Sequence, residues 1–279
     1  MTDARLLFAG VPHTGKSTFL ALLNLAITSG ARVSLSLGHF QDDREYLNGL
    51  TARLMSCEPA DRTLLSQSDG LSLSLRTATS QDISLSIPDL SGETWADVLA
   101  ERVCADTLID QIEDALGICV FVHASDFTTD PTIAEVHRAA NALGESADEY
   151  TADAHQGYLG DARTSQIDLV DLLQILGSQF APRPKRVALV ISAFDVANGQ
   201  SPVEWLEQNA PFAEQYLRSN LDSTAIRVFG LSAQGGRFDD KDELKALRKR
   251  DPLERAFVLG HDGARLELDA PIVWALGID

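Results

Sequence analysis

With 279 residues, 44% of them apolar and 23% charged, the chain is long enough to bury a core without help from disulfides. Its 41 Asp and Glu outweigh 23 Lys and Arg, a formal net charge of −18 that repels phosphate backbones and anionic lipid over most of the surface. Nucleic acid is therefore not expected as a partner. The most basic stretch, "KALRKRD" at 245–251, lies among acidic residues and reads as a solvated helix face.

Three widely spaced cysteines, Cys57, Cys104 and Cys119, have neither metal-ligand nor redox spacing and predict buried thiols in a reducing compartment. "MTDARLLFAG" lacks the basic-then-apolar order of a signal peptide. The apolar runs, such as "ICVFV" at 118–122, are too short to span a bilayer. A cytoplasmic protein is the expectation.

In chain order, a short apolar run at 6–9 leads into "GVPHTGKST" and then "FLALLNLAITSG", whose apolar residues recur at helical spacing and stop at Gly30. Strand, glycine loop and helix together distinguish a phosphate loop, G-x-x-x-x-G-K-[ST], from a chance match. In such a loop the backbone N–H groups between Gly10 and Gly15 converge on a phosphate, and the positive end of the following helix adds to them. Lys16 neutralises the outer phosphate oxygens and the Ser17 hydroxyl is placed to ligate Mg²⁺, with Thr14 and Thr18 on either side. His13 falls near a third phosphate, where it serves either as a contact or as a structural residue.

"VSLSL" (33–37), "LSLSL" (71–75) and "ISLSI" (83–87) alternate with period two and predict half-buried strands, the last two as a hairpin. "DDREYLNGLTARLM" between the first two reads as helix. The near-continuous apolar runs in "GICVFVHASD" (117–126), "RVALVISAFD" (186–195) and "IRVFGLSAQGG" (226–236) predict strands buried on both faces of a parallel sheet. Helical patterns intervene, including "SQIDLVDLLQILGSQF" and "SPVEWLEQNAPFAEQYLRSNL". The reading is one α/β domain over 1–279, a doubly wound and mostly parallel sheet with one antiparallel hairpin strand. An acidic helical insertion is expected at 128–164.

Ligands bind at the carboxyl ends of strands in such sheets, so those ends carry the function. "IPDLSGE" puts Asp89 where a carboxylate can hold Mg²⁺ through water, and Gly92 where its N–H can meet a γ-phosphate. Asp195 in "SAFD" can accept from the N1–H and exocyclic amine of guanine, a donor pair that adenine lacks. In "SAQ", Ser232, Ala233 and Gln234 follow the last of these strands, where the Ala233 N–H can reach the guanine O6.

On these pieces ("GVPHTGKST", "DLSGE", "SAFD" and "SAQ") the sequence resembles the Ras-like, translation-factor-related GTPases of the TRAFAC class. More narrowly, "PVEWLEQNAPFAEQYLRSN" through "VFGLSAQGG", with "APIVWALG", resembles the bacterial double-GTPase group, whose members are predicted to act in pairs in conflict or defence systems. The resemblance implies a P-loop GTPase fold, GTP/GDP with Mg²⁺, and a guanine-nucleotide switch that acts through a protein partner. It places Thr63, in "EPADRT", where a threonine closes over Mg²⁺ and the γ-phosphate.

There are three departures. Glu93 stands where many relatives have a water-orienting Gln, which implies slow hydrolysis, although its carboxylate could accept a proton from water. "SAFD" lacks the Asn and Lys of N-K-x-D, leaving Phe194 or Ala193 to cover a base face, and Gln234 replaces the lysine of S-A-K. A non-hydrolysing partner subunit is the alternative reading. An ATPase or kinase fits less well, because the expected lid at 128–164 is acidic. Trp95, beside Gly92, is expected to report nucleotide state, and Trp205 and Trp274 to lie in the core.

Overall fold

The computed structural model describes residues 5–38, 44–58, 71–77, 82–87, 92–129, 137–138, 140–142, 163–178, 185–197, 199–220, 225–238 and 240–278. Thr63, Asp89 and most of the expected insertion at 128–164 lie outside them.

Strand β1 (Leu6–Ala9) feeds helix α1 (Lys16–Ser29) through the glycine loop. Gly30 ends α1 at φ 65°, a left-handed conformation that glycine adopts at no steric cost, as the sequence predicts. Strand β2 (Ser36–Leu37) is shorter than the alternation at 33–37 predicts. Residues just before it are tied instead to Asp269, whose Oδ2 accepts from the N–H and hydroxyl of Ser34 and from the N–H of Leu35.

Helix α2 (Arg44–Ser56) is followed by the antiparallel pair β3 (Leu71–Arg76) and β4 (Asp82–Ile87), which with β2 form a three-stranded sheet in the order β2-β3-β4. β4 runs beside β1. Helices α3 (Glu93–Glu101) and α4 (Asp106–Asp114) precede β5 (Gly117–His123). Helix α5 (Ser165–Ser178) precedes β6 (Arg186–Ser192).

The helical pattern at 201–221 resolves into two helices, α6 (Pro202–Asn209) and α7 (Pro211–Asn220). The break falls at Pro211, which has no N–H to continue the ladder. A full capping box of Ser201 and Glu204 starts α6. Strand β7 (Ile226–Ser232) leads to α8 (Lys241–Leu247), α9 (Pro252–Arg255), the strands β8 (Phe257–Leu259) and β9 (Arg265–Leu266), and α10 (Ala270–Leu276).

The main sheet has the order β1-β5-β6-β7-β8-β9. Its first four strands are parallel, and β8 and β9 add an antiparallel hairpin at the far edge that the sequence reading did not anticipate. Side chains alternate across it. Leu6 and Phe8 of β1, Cys119 and Phe121 of β5 and Ala188 and Val190 of β6 join a core with α1, α2, α10 and the β3–β4 pair. Leu7 and Ala9, Ile118 and Val120, and Leu189 and Ile191 join a second core with α3 to α7. Two-sided burial explains why these strands read as continuous apolar runs.

The three tryptophans are buried, Trp274 in the first core and Trp95 and Trp205 in the second. "KALRKRD" ends α8 with Arg248 to Arg250 exposed, the solvated face that its composition predicts. No described helix is long and apolar enough to cross a membrane.

Candidate functional site at the carboxyl ends of the parallel strands

The glycine loop joins β1 to α1, and its shape follows from its residues. Gly15 precedes the helix at φ 89°, and a Cβ there would sit 2.9 Å from Ser192 at the end of β6. Only glycine lets the loop rest on that strand. The Thr14 hydroxyl donates back to the Val11 carbonyl at 2.8 Å, closing the turn. Lys16 is 2% exposed and its Nζ donates to the carbonyls of Gly10 (2.6 Å) and Val11 (3.0 Å), so the ammonium is held inside the loop's curve. Helix α1 carries no acidic residue in its first turn, so no carboxylate of its own offsets its positive end. Ser17 and Thr18 are half-buried in that turn.

The second segment meets the loop directly. Gly92 begins α3 at φ 81°, and a Cβ on it would lie 2.6 Å from the Pro12 nitrogen and 2.7 Å from the Gly10 carbonyl. The D-x-x-G glycine is therefore packed on the phosphate loop, backbone to backbone. Glu93 follows as the exposed first residue of α3. Asp89 and Thr63 lie outside the described residues.

The third segment follows β6. Ser192 is 4% exposed, and its hydroxyl has no hydrogen-bond partner among the described residues. Ala193 takes φ 50° and turns the chain into a short 3₁₀ turn, Phe194–Val196. The Phe194 ring is buried against Gly230 of β7, so it covers no face of the cleft; Ala193 lines the cleft instead. Asp195 Oδ1 accepts from the Ser232 hydroxyl at 2.6 Å, and Ser232 Oγ in turn accepts from the Gly235 N–H at 3.1 Å. Ser232 is wholly buried and acts on Asp195, while Ala233 and Gln234 face the cleft.

Between the glycine loop and Asp195 runs a cleft of about 390 Å³, with Gly15 and Thr18 at one end and Ala193, Asp195, Ala233 and Gln234 at the other. His123, Ser125, Asp126, Arg237 and Phe238 also line it, and sequence reasoning missed them. Their signal was position, since 123–126 directly follow an apolar strand. His13 is exposed at φ 65° and lines, with Phe127 and Leu172, an adjoining pocket of about 100 Å³ that shares His123 and Asp126 with the cleft.

The base-side turn is braced from behind by Arg255, which is 3% exposed. A Cβ on Gly235 would lie 2.7 Å from the Arg255 Cβ. The guanidinium donates to Cys57 Sγ (2.7 Å), the Leu247 carbonyl (2.8 Å) and the Leu54 carbonyl (2.9 Å).

The model of one family, Double-GTPase 1, matches residues 7–275, from β1 to α10. The chain belongs to the Double-GTPase 1 family. It is thus a TRAFAC P-loop GTPase of the double-GTPase group, with that fold. Comparison with curated proteins gives no match. Among solved structures, the chain is similar to the GTP-bound GTPase-like domain of Ski7 from S. cerevisiae, at 12% identity and TM-score 0.45, covering 86% of this chain and 45% of that one. It is also similar to Sup35 complexed with GDP, at 13% identity and TM-score 0.37, covering 84% and 38%. A third is the signal recognition particle receptor SRb-GTP/SRX complex from Chaetomium thermophilum, at 13% identity and TM-score 0.36, covering 90% and 100%. The chain spans less than half the length of the first two.

Proposed function

We propose that this Double-GTPase 1 protein binds a guanine nucleotide across the cleft and works as a switch. Its β- and γ-phosphates would lie in the Gly10–Ser17 loop, and its base against Asp195 and the Ala233 N–H. The observation that carries the reading is the cleft itself, with a helix N-terminus and a buried lysine at one end and a braced carboxylate at the other. Asp195 accepts from two guanine donors and leaves adenine's ring nitrogen unmatched, a mismatch that costs affinity in a desolvated site.

Magnesium fits the donor set. Mg²⁺ takes one or two protein oxygens and completes its shell with phosphate and water, and Ser17, half-buried in the first turn of α1 next to Lys16, would supply one of them. Bound there, the ion would neutralise phosphate charge. Asp89 and Thr63 would be its further ligands, as the family resemblance implies.

Gly92, seated on the backbone of the glycine loop, gives the second segment a direct sense of what that loop holds. A γ-phosphate would draw the Gly92 N–H and reset the start of α3, and hydrolysis would release it. Glu93 places a carboxylate beside that phosphate and adds repulsion, so hydrolysis by the isolated chain is slow. The output is contact with a protein partner, a second GTPase in a bacterial conflict or defence system, and the site of action is the cytoplasm.

Competition calorimetry tests the base reading. GDP and GTP should bind with Mg²⁺, ATP should not displace them, and Lys16→Ala should remove binding. Equal displacement by ATP would reject the guanine assignment. Single-turnover hydrolysis separates the two modes of use: a slow release of phosphate that is absent in Lys16→Ala marks a GTPase, and none at all marks a subunit that only holds nucleotide.

A further inference from the structure

The cleft has a middle, and the residues there lie at the carboxyl end of β5. In the main sheet β5 lies between β1 and β6, hydrogen-bonded to both, and His123 is in register with Ser192. Any molecule that reaches from the glycine loop after β1 to Asp195 after β6 must cross the carboxyl end of β5. That end presents His123, Ser125 and Asp126, all three lining the cleft. The neighbouring strand end contributes Ser192, whose buried hydroxyl has no hydrogen-bond partner among the described residues, and Ala193, which has no polar side chain to offer.

His123 and the two residues after β5 form a closed hydrogen-bond network. His123 Nδ1 lies 3.0 Å from Ser125 Oγ and 3.4 Å from Asp126 Oδ2, and the Ser125 hydroxyl donates to Asp126 Oδ1 at 3.1 Å. Ser125 spends its only proton on the carboxylate, so it accepts the Nδ1–H of the imidazole. Serine and aspartate meet the same ring nitrogen, so the trio is not a relay for activating the serine, which needs the two nitrogens to serve different partners. Its effect is to orient the ring and leave Nε2 for whatever occupies the cleft.

We propose that His123 is a nucleotide-binding residue whose Nε2 hydrogen-bonds the sugar and α-phosphate portion of the bound nucleotide, with Ser125 and Asp126 positioning the ring. The proposal rests on the guanine-nucleotide reading above. The segment between base and β-phosphate is the ribose with its α-phosphate, and it is the part that lies over β5. Imidazole can serve it in either protonation state, donating to phosphate when charged and accepting from a ribose hydroxyl when neutral.

The test combines calorimetry using unmodified GDP with proton–nitrogen correlation spectra of the histidine rings, on the full chain with Mg²⁺. His123→Ala should weaken GDP about tenfold, as expected for one hydrogen bond to a polar or charged ligand. His123→Gln should recover part of that loss, and it covers the case in which the alanine variant fails to fold. In the unsubstituted protein the His123 Nε2 resonance, assigned by its absence in His123→Gln, should move on adding GDP and stay still in Lys16→Ala. Asp126→Asn should shift the His123 ring resonances before any GDP is added. If His123→Gln and His123→Ala bind GDP within twofold of the unsubstituted protein and the resonance does not move, while Lys16→Ala loses binding, the role of His123 is wrong and the reading of the site survives. If Lys16→Ala binds GDP as well as the unsubstituted protein, the reading of the site falls and the role of His123 falls with it.

Discussion

The Ser232 hydroxyl donates to Asp195 Oδ1 at 2.6 Å across two neighbouring strand ends. This bond couples the two sequence motifs at the base end of the cleft, since one supplies the carboxylate and the other holds it still. Ser232 is fully buried, so its effect on a ligand passes through Asp195.

Ser232→Ala should therefore weaken GDP roughly tenfold, the scale of one hydrogen bond to a charged group, without altering the bound base. Asp195→Asn should do something different. An amide offers one donor and one acceptor where the carboxylate offers two acceptors, which suits xanthine better than guanine. Calorimetry with GDP and xanthosine diphosphate on both variants checks the contrast, and an unchanged guanine preference in Asp195→Asn would remove Asp195 from the base site.

At Gly92 the expectation is steric. A Cβ there meets the Pro12 nitrogen at 2.6 Å, and φ is 81°, so alanine is both strained and overpacked. Gly92→Ala should cost about 1–3 kcal/mol in stability and abolish any difference in Trp95 fluorescence between GDP and a non-hydrolysable GTP analogue. Trp95 suits the measurement because its ring is fully buried in the first turn of α3, with Nε1 lacking a hydrogen-bond partner among the described residues. A variant that still changes its emission would show that Gly92 does not carry the signal.

Asp269 is fully buried and ties α10 to the chain before β2 through three hydrogen bonds to Oδ2. Asp269→Ala leaves the N–H groups of Ser34 and Leu35 without that acceptor and should destabilise the fold by about 2–4 kcal/mol. Denaturant unfolding measures it. Because the bonds lie away from the cleft, GDP affinity of the folded variant should be nearly unchanged.

The cysteines should differ in reactivity. Burial pushes the Cys119 thiol well above its ordinary range, and burial together with Asp106 raises that of half-exposed Cys104. Only the thiolate reacts, so a raised value means slow alkylation at neutral pH that quickens as pH climbs past the usual thiol range. Native protein should yield one slowly reacting thiol, Cys104, and unfolded protein three. Rapid labelling of Cys119 in the native state would contradict its burial.

Much of this architecture is legible in the sequence because it follows from short-range rules. The Gly-Lys-Ser loop sits between an apolar run and a helical repeat, and strands buried on both faces show as unbroken apolar residues. What was not legible depends on contacts made far along the chain. Phe194 could as well have faced a ligand as the core, and only its seat on Gly230 decides it. The β8–β9 hairpin has two very short strands, too few residues for a period to emerge. His123, Ser125 and Asp126 carry no motif, and their meaning comes from the strand order that puts β5 between β1 and β6.

Arg255 has a mechanical consequence. Its guanidinium grips the Leu54 carbonyl in the last turn of α2 and the final carbonyl of α8 together with Cys57, while its own backbone end is wedged against Gly235 in the turn that carries Ala233 and Gln234. That turn and the exit of α2 are therefore clamped by one side chain and cannot shift independently. Whatever steadies the base end of the cleft also steadies the point from which the chain sets out toward Thr63.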